Sequence, residues 1–116
     1  MKKILILGGT GFVGRHVCEK LTQLQWRVSV PTRHEANARD IQMLPALDVV
    51  PADVHDEAAL TRLVAGHDAV VNLIAILHGT QEAFQRTHVQ LPEKLARACA
   101  ATGVRRLVHV SALGAD

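Results

Sequence analysis

Short apolar runs alternate along the chain with stretches whose apolar residues recur at helical spacing. Ile4 to Leu7, Arg27 to Pro31, Leu47 to Pro51, Ala69 to Ile74 and Leu107 to Val110 read as five strands. Between the first two, Gly11 to about Leu24 predicts a helix with Val13, Val17, Leu21 and Leu24 on one face. A short, weakly patterned helix is expected over about Ala36 to Leu44. Asp56 is a good N-cap for a helix through Val64, closed by Gly66. Gln81 to Ala101 predicts a long helix that ends at Gly103, with Pro92 kinking or dividing it. Strand and helix thus alternate from end to end. The right-handed crossover rule folds such a chain into a three-layer α/β domain, residues 1–116, with a five-stranded parallel sheet in the order 3-2-1-4-5.

The first strand runs into Gly8-Gly9-Thr10-Gly11-Phe12-Val13-Gly14, and a helix follows directly. Glycines at this spacing between a strand and a helix are what a dinucleotide-binding turn needs. Gly8 permits the tight turn off the strand. Gly11 lets a pyrophosphate come close to the backbone, and Gly14 lets the helix pack tightly. The free N–H groups and positive dipole end of the helix then face the phosphates. The competing reading is a structural glycine turn that holds nothing. A P-loop is excluded because no Lys-Ser or Lys-Thr follows the glycines. The expected architecture is therefore Rossmann-type.

The second strand ends in Thr32-Arg33-His34, where a carboxylate would ordinarily accept from an adenosine ribose. Here a guanidinium stands instead, able to meet a 2′-phosphate with paired donors. This points to NADP(H) in preference to NAD(H); the alternative leaves Arg33 solvated and gives the ribose to Glu35. After the third strand, Asp53 is placed to accept from an adenine amino group, with Val54 against the ring. Its competing role is a helix cap, for which Asp56 is better suited.

Composition narrows the picture. Aromatic residues make up 3% of the chain and none is a tyrosine, so no stacking surface for single-stranded nucleic acid is expected. A net charge of +2 with dispersed basic residues gives no footprint for DNA. The seven histidines are scattered and imply no metal site. Cys18 and Cys99, far apart and on helical patterns, read as buried reduced thiols. The apolar run after Met1-Lys2-Lys3 is broken by Gly8-Gly9, too early for an export signal or a membrane span. A cytoplasmic chain is expected, with room for a peripheral place at the inner membrane.

With these motifs in place, the chain resembles the extended and atypical branches of the short-chain dehydrogenase/reductase superfamily, the group of NAD-dependent epimerases and dehydratases. The resemblance lies in the glycine turn, Ala52-Asp53, Val71-Asn72-Leu73-Ile74-Ala75 and Val110-Ser111-Ala112. His88-Val89-Gln90-Leu91-Pro92 and His109-Val110-Ser111-Ala112-Leu113-Gly114-Ala115-Asp116 look more narrowly like bacterial relatives of the nucleotide-binding accessory subunit of respiratory complex I. The resemblance implies that Gly8, Thr10, Gly11, Phe12 and Val13 cradle the pyrophosphate. It also implies that Leu73, Ile74 and Ala75 line the riboses, and that Ser111 lies near the hydroxyl that active members offer a substrate carbonyl. For Ser111 and His88 the competing readings are a satisfied strand-end residue and a packed or solvated helix histidine.

Active members also use a Tyr-x-x-x-Lys pair for proton transfer. This chain has no tyrosine, and its lysines are Lys2, Lys3, Lys20 and Lys94. Because a dinucleotide fold normally continues past the fifth strand, the 116 residues are expected to be part of a longer protein, without its substrate lobe and inactive alone. The parent is then an oxidoreductase or epimerase, or alternatively a non-catalytic subunit or assembly factor of a respiratory NADH dehydrogenase, or a dinucleotide sensor. An uncovered fifth-strand edge, with its neighbouring helix, is expected to promote self-association.

Overall fold

The computed structural model describes residues 2–39, 41–74 and 79–110. Its five parallel strands are β1 (Lys3–Leu7), β2 (Arg27–Thr32), β3 (Leu47–Pro51), β4 (Ala69–Asn72) and β5 (Arg106–His109). Their order in the sheet is β3-β2-β1-β4-β5, the expected one. β1 lies at the centre and alternates its side chains between two cores. Ile4 and Ile6 join Cys18, Val28 and Val30 beneath helix α1 (Phe12–Gln23). Leu5 and Leu7 join Leu60, Val64, Leu91 and Leu95 beneath α2 (Glu57–Val64) and α4 (Leu91–Thr102). Both cysteines are buried and free.

Helix α1 corrects the expected face. Val17 and Leu21 are partly buried, but Val13 and Leu24 are 58% and 69% exposed. The buried line runs instead through Gly14, Cys18 and Thr22. The reason is the close seat of Gly14 described below, which turns this smooth side of the helix inward. The helix expected over Ala36 to Leu44 is also not formed. A single 3₁₀ turn, Glu35–Ala38, is followed by turns, with Ala38 and Ile41 plugging the core. Two apolar anchors one turn apart, with Pro45 close behind, are too few to sustain an amphipathic helix.

Asp56 caps α2 as expected, accepting from the Ala58 and Ala59 N–H groups. The long helix is divided at Pro92, in an unanticipated way. Helix α3 (Gln81–Gln85), capped by Thr80, passes into a π turn over Arg86–Gln90 and then into α4. Proline cannot donate and its ring crowds the carbonyl four residues back. The chain widens by one residue ahead of it, so that the Leu91 N–H reaches the Arg86 carbonyl. Helix α4 ends at Gly103, in the left-handed region.

Leu95, fully buried on α4 between the sheet and α2, should be expensive to truncate. Leu95→Ala is expected to cost about 2–5 kcal/mol, read as a lower urea midpoint with an unchanged slope.

Candidate functional site

The turn after β1 is built from backbone alone. Gly8 adopts φ +84°, and a Cβ there would lie 2.9 Å from the Leu73 carbonyl carbon and 3.0 Å from the Ile74 nitrogen. It is therefore both a left-handed corner and a close approach to the chain leaving β4. The Gly11 N–H returns to the Gly8 carbonyl at 3.2 Å, and Gly11 becomes the N-cap of α1. A Cβ on Gly14 would strike the Gly8 carbonyl oxygen and come within 2.6 Å of the Gly9 Cα. The first turn of the helix thus packs on the glycine turn itself, while its later turns cover the strands.

Gly11 is different, because a Cβ there would meet only the Gly8 oxygen, at 3.5 Å, an ordinary contact. Nothing in the protein requires glycine at that point. As an N-cap it also has no side chain to take up the opening amides of α1, whose first turn carries no carboxylate. A helix end left this way is able to receive an anion. Below it, the Cys18 thiol faces the Gly9 carbonyl at 4.0 Å. Burial, helped by Glu19, pushes its pKa up to about 11, so it stays protonated and inert.

Beside the turn opens a cleft of about 240 Å³ at the carboxyl ends of β1, β2 and β3. It brings together six of the residues singled out from the sequence: Gly8, Thr10, Arg33, Asp53, Val54 and Ile74. Gly11, Phe12 and Val13 follow Thr10 as the opening of α1. Gly11 and Val13 are not in the cleft lining, Val13 facing a separate hollow with His16 and Lys20, and Leu73 packs against the α1-side core. Ala75 and Ser111 lie outside the described residues. His88 is half-buried and stacks on Phe84, with ring centroids 5.5 Å apart, so the packed reading holds for it. A larger open hollow along α3 and the π turn, lined by Gln81, Glu82, Gln85, Arg86 and Gln90, contains none of the glycines.

Within the cleft, Thr32 is engaged locally, its hydroxyl accepting from the His34 N–H at 3.2 Å. Arg33 is exposed and makes no ion pair among the described residues. Asp53 closes a small turn by accepting from the His55 N–H at 2.9 Å through Oδ1. Asp56, not Asp53, is the helix cap.

The cleft also holds His55, which sequence reading passed over. Its carbonyl accepts from the Lys94 ammonium at 2.8 Å, a strut from α4, while its ring Nδ1 is buried with no partner. Burial first, then the charge of Arg86, hold the ring's pKa below the usual histidine value; Asp53 pulls the other way, and Lys94 and Arg33 add weaker downward pushes. At the exit of β4, buried Asn72 accepts from the Ile74 N–H through Oδ1 at 3.1 Å. That orients its amide nitrogen toward His109 Nδ1, also at 3.1 Å, fixing the end of β5.

A family model described as NAD(P)H-binding matches residues 8–116. The chain belongs to the NAD(P)H-binding family. Its cofactor is therefore a nicotinamide dinucleotide, and the glycine seat and cleft fit one. Relatives include the mitochondrial NADH-ubiquinone oxidoreductase 40 kDa subunit of Neurospora crassa, 30% identical over 96% of this chain and 31% of that protein. Ceramide reductase of Caulobacter vibrioides is 32% identical over 97% of this chain and 35% of that protein. Among solved structures, uronate dehydrogenase from Agrobacterium tumefaciens, complexed with NAD, superposes with a TM-score of 0.78 at 25% identity, over 96% of this chain and 41% of that one. The resemblance to extended short-chain dehydrogenases and epimerases is thereby borne out. The NAD(P)H-binding chain spans about a third of the length of these curated relatives. Among the described residues, no helix is long and apolar enough to cross a membrane, and no cluster of His, Cys, Asp and Glu could hold a metal.

The two glycines of α1 should respond differently to a methyl group. Gly14→Ala forces the helix off the turn and should cost about 1–3 kcal/mol, as overpacking does. Gly11→Ala has room, and should lose no more than about 1 kcal/mol, the typical penalty of an alanine cap. Thermal melting of the two variants checks the contrast.

Proposed function

We propose that this chain holds NADP(H) in preference to NAD(H), as the dinucleotide-binding part of an oxidoreductase or epimerase of the short-chain dehydrogenase/reductase type. The pyrophosphate rests on the amides around Gly11, Phe12 and Val13, with Gly8 and Thr10 completing the cradle. Adenine lies along Asp53 and Val54, and Leu73, Ile74 and Ala75 border the riboses. Arg33 takes the 2′-phosphate. The observation that carries the preference is that this guanidinium, exposed and in no ion pair among the described residues, lines the same cleft as the glycine turn. The carboxylate an NAD site uses is missing from the end of β2.

A second reading, a non-catalytic nucleotide-binding subunit or assembly factor of a respiratory NADH dehydrogenase, is favoured by the likeness to complex I subunits. The Arabidopsis thaliana NADH dehydrogenase 1 alpha subcomplex subunit 9 is 33% identical over 96% of this chain, and that protein too is about three times longer. In this reading the bound dinucleotide stabilises the fold by mass action without turnover.

Calorimetric titration with NADPH and NADH tests the assignment. Arg33→Ala should cost NADPH about 1.5–3 kcal/mol, the range for hydrogen bonds to charged groups, and leave NADH unchanged. Gly11→Ala, though folded, should lose affinity for both. An Arg33→Ala protein that binds NADPH as tightly as before would remove the 2′-phosphate assignment.

The side of β5 away from β4, which no described strand covers, supports a further part of the proposal, self-association of these 116 residues. Leu107, Val108 and Val110 are all substantially exposed, and β5 pairs only with β4 among the described residues. An apolar strand edge of this kind recruits another chain. Light scattering of the chain should show a mass that rises with concentration, and Val108→Lys should restore the monomer. A monomer at every concentration would refute the idea.

A further inference from the structure

His55 is placed for a task that the glycine turn and Arg33 leave undone. Cationic groups reach its surroundings from three separate elements: Arg33 from the end of β2, Arg86 from the π turn and Lys94 from α4. Asp53, on its own loop, is the one carboxylate acting on it among the described residues, and His34 shares the cleft. On the ring itself three positive charges act against one negative, and Glu57, which also feels Lys94, is already bonded to Arg97. Lys94 is fastened to the His55 carbonyl and Asp53 to the His55 N–H, so the histidine backbone is held from both sides. The ring is half-buried at the cleft wall with one nitrogen unpartnered.

We propose that His55 is a second reader of the 2′-phosphate, taking up one proton from solvent when that phosphomonoester enters the cleft beside Arg33. The proposal rests on the NADP(H) reading above and adds to it a proton-coupled step. The direction follows from the site. In the free protein burial and the three cations keep the imidazole neutral at pH 7. A dianionic phosphate offsets those cations and favours the imidazolium, so its arrival raises the pKa and binds a proton. NADH, which lacks the group, brings no such charge.

The sign of the pH dependence follows as long as the pH stays above about 6, where the phosphomonoester's own second ionisation works the other way. Affinity for NADPH rises as pH falls from about 8 toward about 6.5, through the raised pKa of the bound state. Affinity for NADH stays level. Since a pKa displacement of one unit is worth at most a factor of ten, the NADPH/NADH ratio should grow by about 3- to 10-fold over this range.

Calorimetry of the whole chain in buffers of different ionisation enthalpy measures the proton directly. NADPH binding should take up protons near neutral pH, NADH binding none, and His55→Gln and His55→Asn should each abolish the uptake while retaining NADPH binding. In the wild-type protein, 2′-AMP should move the His55 ring titration in NMR upward, and 5′-AMP should not. Uptake that survives in the variants, or an unmoved His55 titration with 2′-AMP bound, overturns the proposal. An equal response to 5′-AMP overturns the assignment to the 2′-phosphate. Failure of NADPH and NADH alike to bind would instead bring down the dinucleotide reading, a result distinct from NADPH binding without a proton.

Discussion

The close contact between Gly14 and the Gly8–Gly9 turn governs the rest of this structure. Because no Cβ intervenes, the first turn of α1 sits directly on the backbone that leaves β1. Two things follow. The helix rotates so that Gly14, Cys18 and Thr22 lie inward, and Val13 and Leu24 are carried outward. Its opening amides are also brought to the carboxyl edge of the sheet, where Gly11 offers no side chain to satisfy them. The anion seat is thus a consequence of how the helix packs, not an addition to it.

The cleft owes its position to the path of the chain. β1, β2 and β3 are laid down outward in one direction, and the chain then crosses back over β1 to place β4 and β5 on the other side. At such a reversal the loops leaving adjacent strands diverge, and a crevice forms where they part. Here the partings are held narrow. Gly8 allows the β4 exit to approach to contact distance, the Leu73 N–H pairs with the Leu7 carbonyl at 2.8 Å, and Asn72 ties the Ile74 backbone and the β5 end together. The glycine that turns the chain also sets the width of the site.

These relations explain what could be read in advance. The strands, the Asp56 cap, the glycine turn and the places of Arg33, Asp53 and Val54 are local or follow from topology, so period and spacing revealed them, whereas Ile74 was implied by the family resemblance. The face of α1 was misjudged because hydrophobicity ranked Val13 and Leu24 above Gly14, whereas close packing favoured the residue with no side chain at all. The segment from Ala36 to Leu44 failed as a helix because its few apolar residues serve as a plug. Pro92 was legible as an interruption, but whether the helix kinks, breaks or widens into a π turn depends on the Arg86 carbonyl finding Leu91. His55 escaped notice for a different reason. Its surroundings come from β2, the π turn and α4, and Lys94 lies 39 residues away, so no local pattern announces them.

The site also divides its work between two kinds of group. In the proposed reading the backbone amides at Gly11 are fixed by the fold and are blind to which dinucleotide rests on them, since the pyrophosphate is common to all. Only side chains at the strand exits differ in what they offer to the adenosine end. In the proposed reading Arg33 carries that discrimination, and it does so from an exposed position where solvent weakens a lone charge. A cation on one side of the cleft would then be a modest reader. Half-buried Lys94, fastened to the His55 carbonyl, acts through a less polar medium, where the same charge counts for more. In the proposed reading a phosphate is therefore met both by an exposed guanidinium and by the field around the half-buried His55 ring.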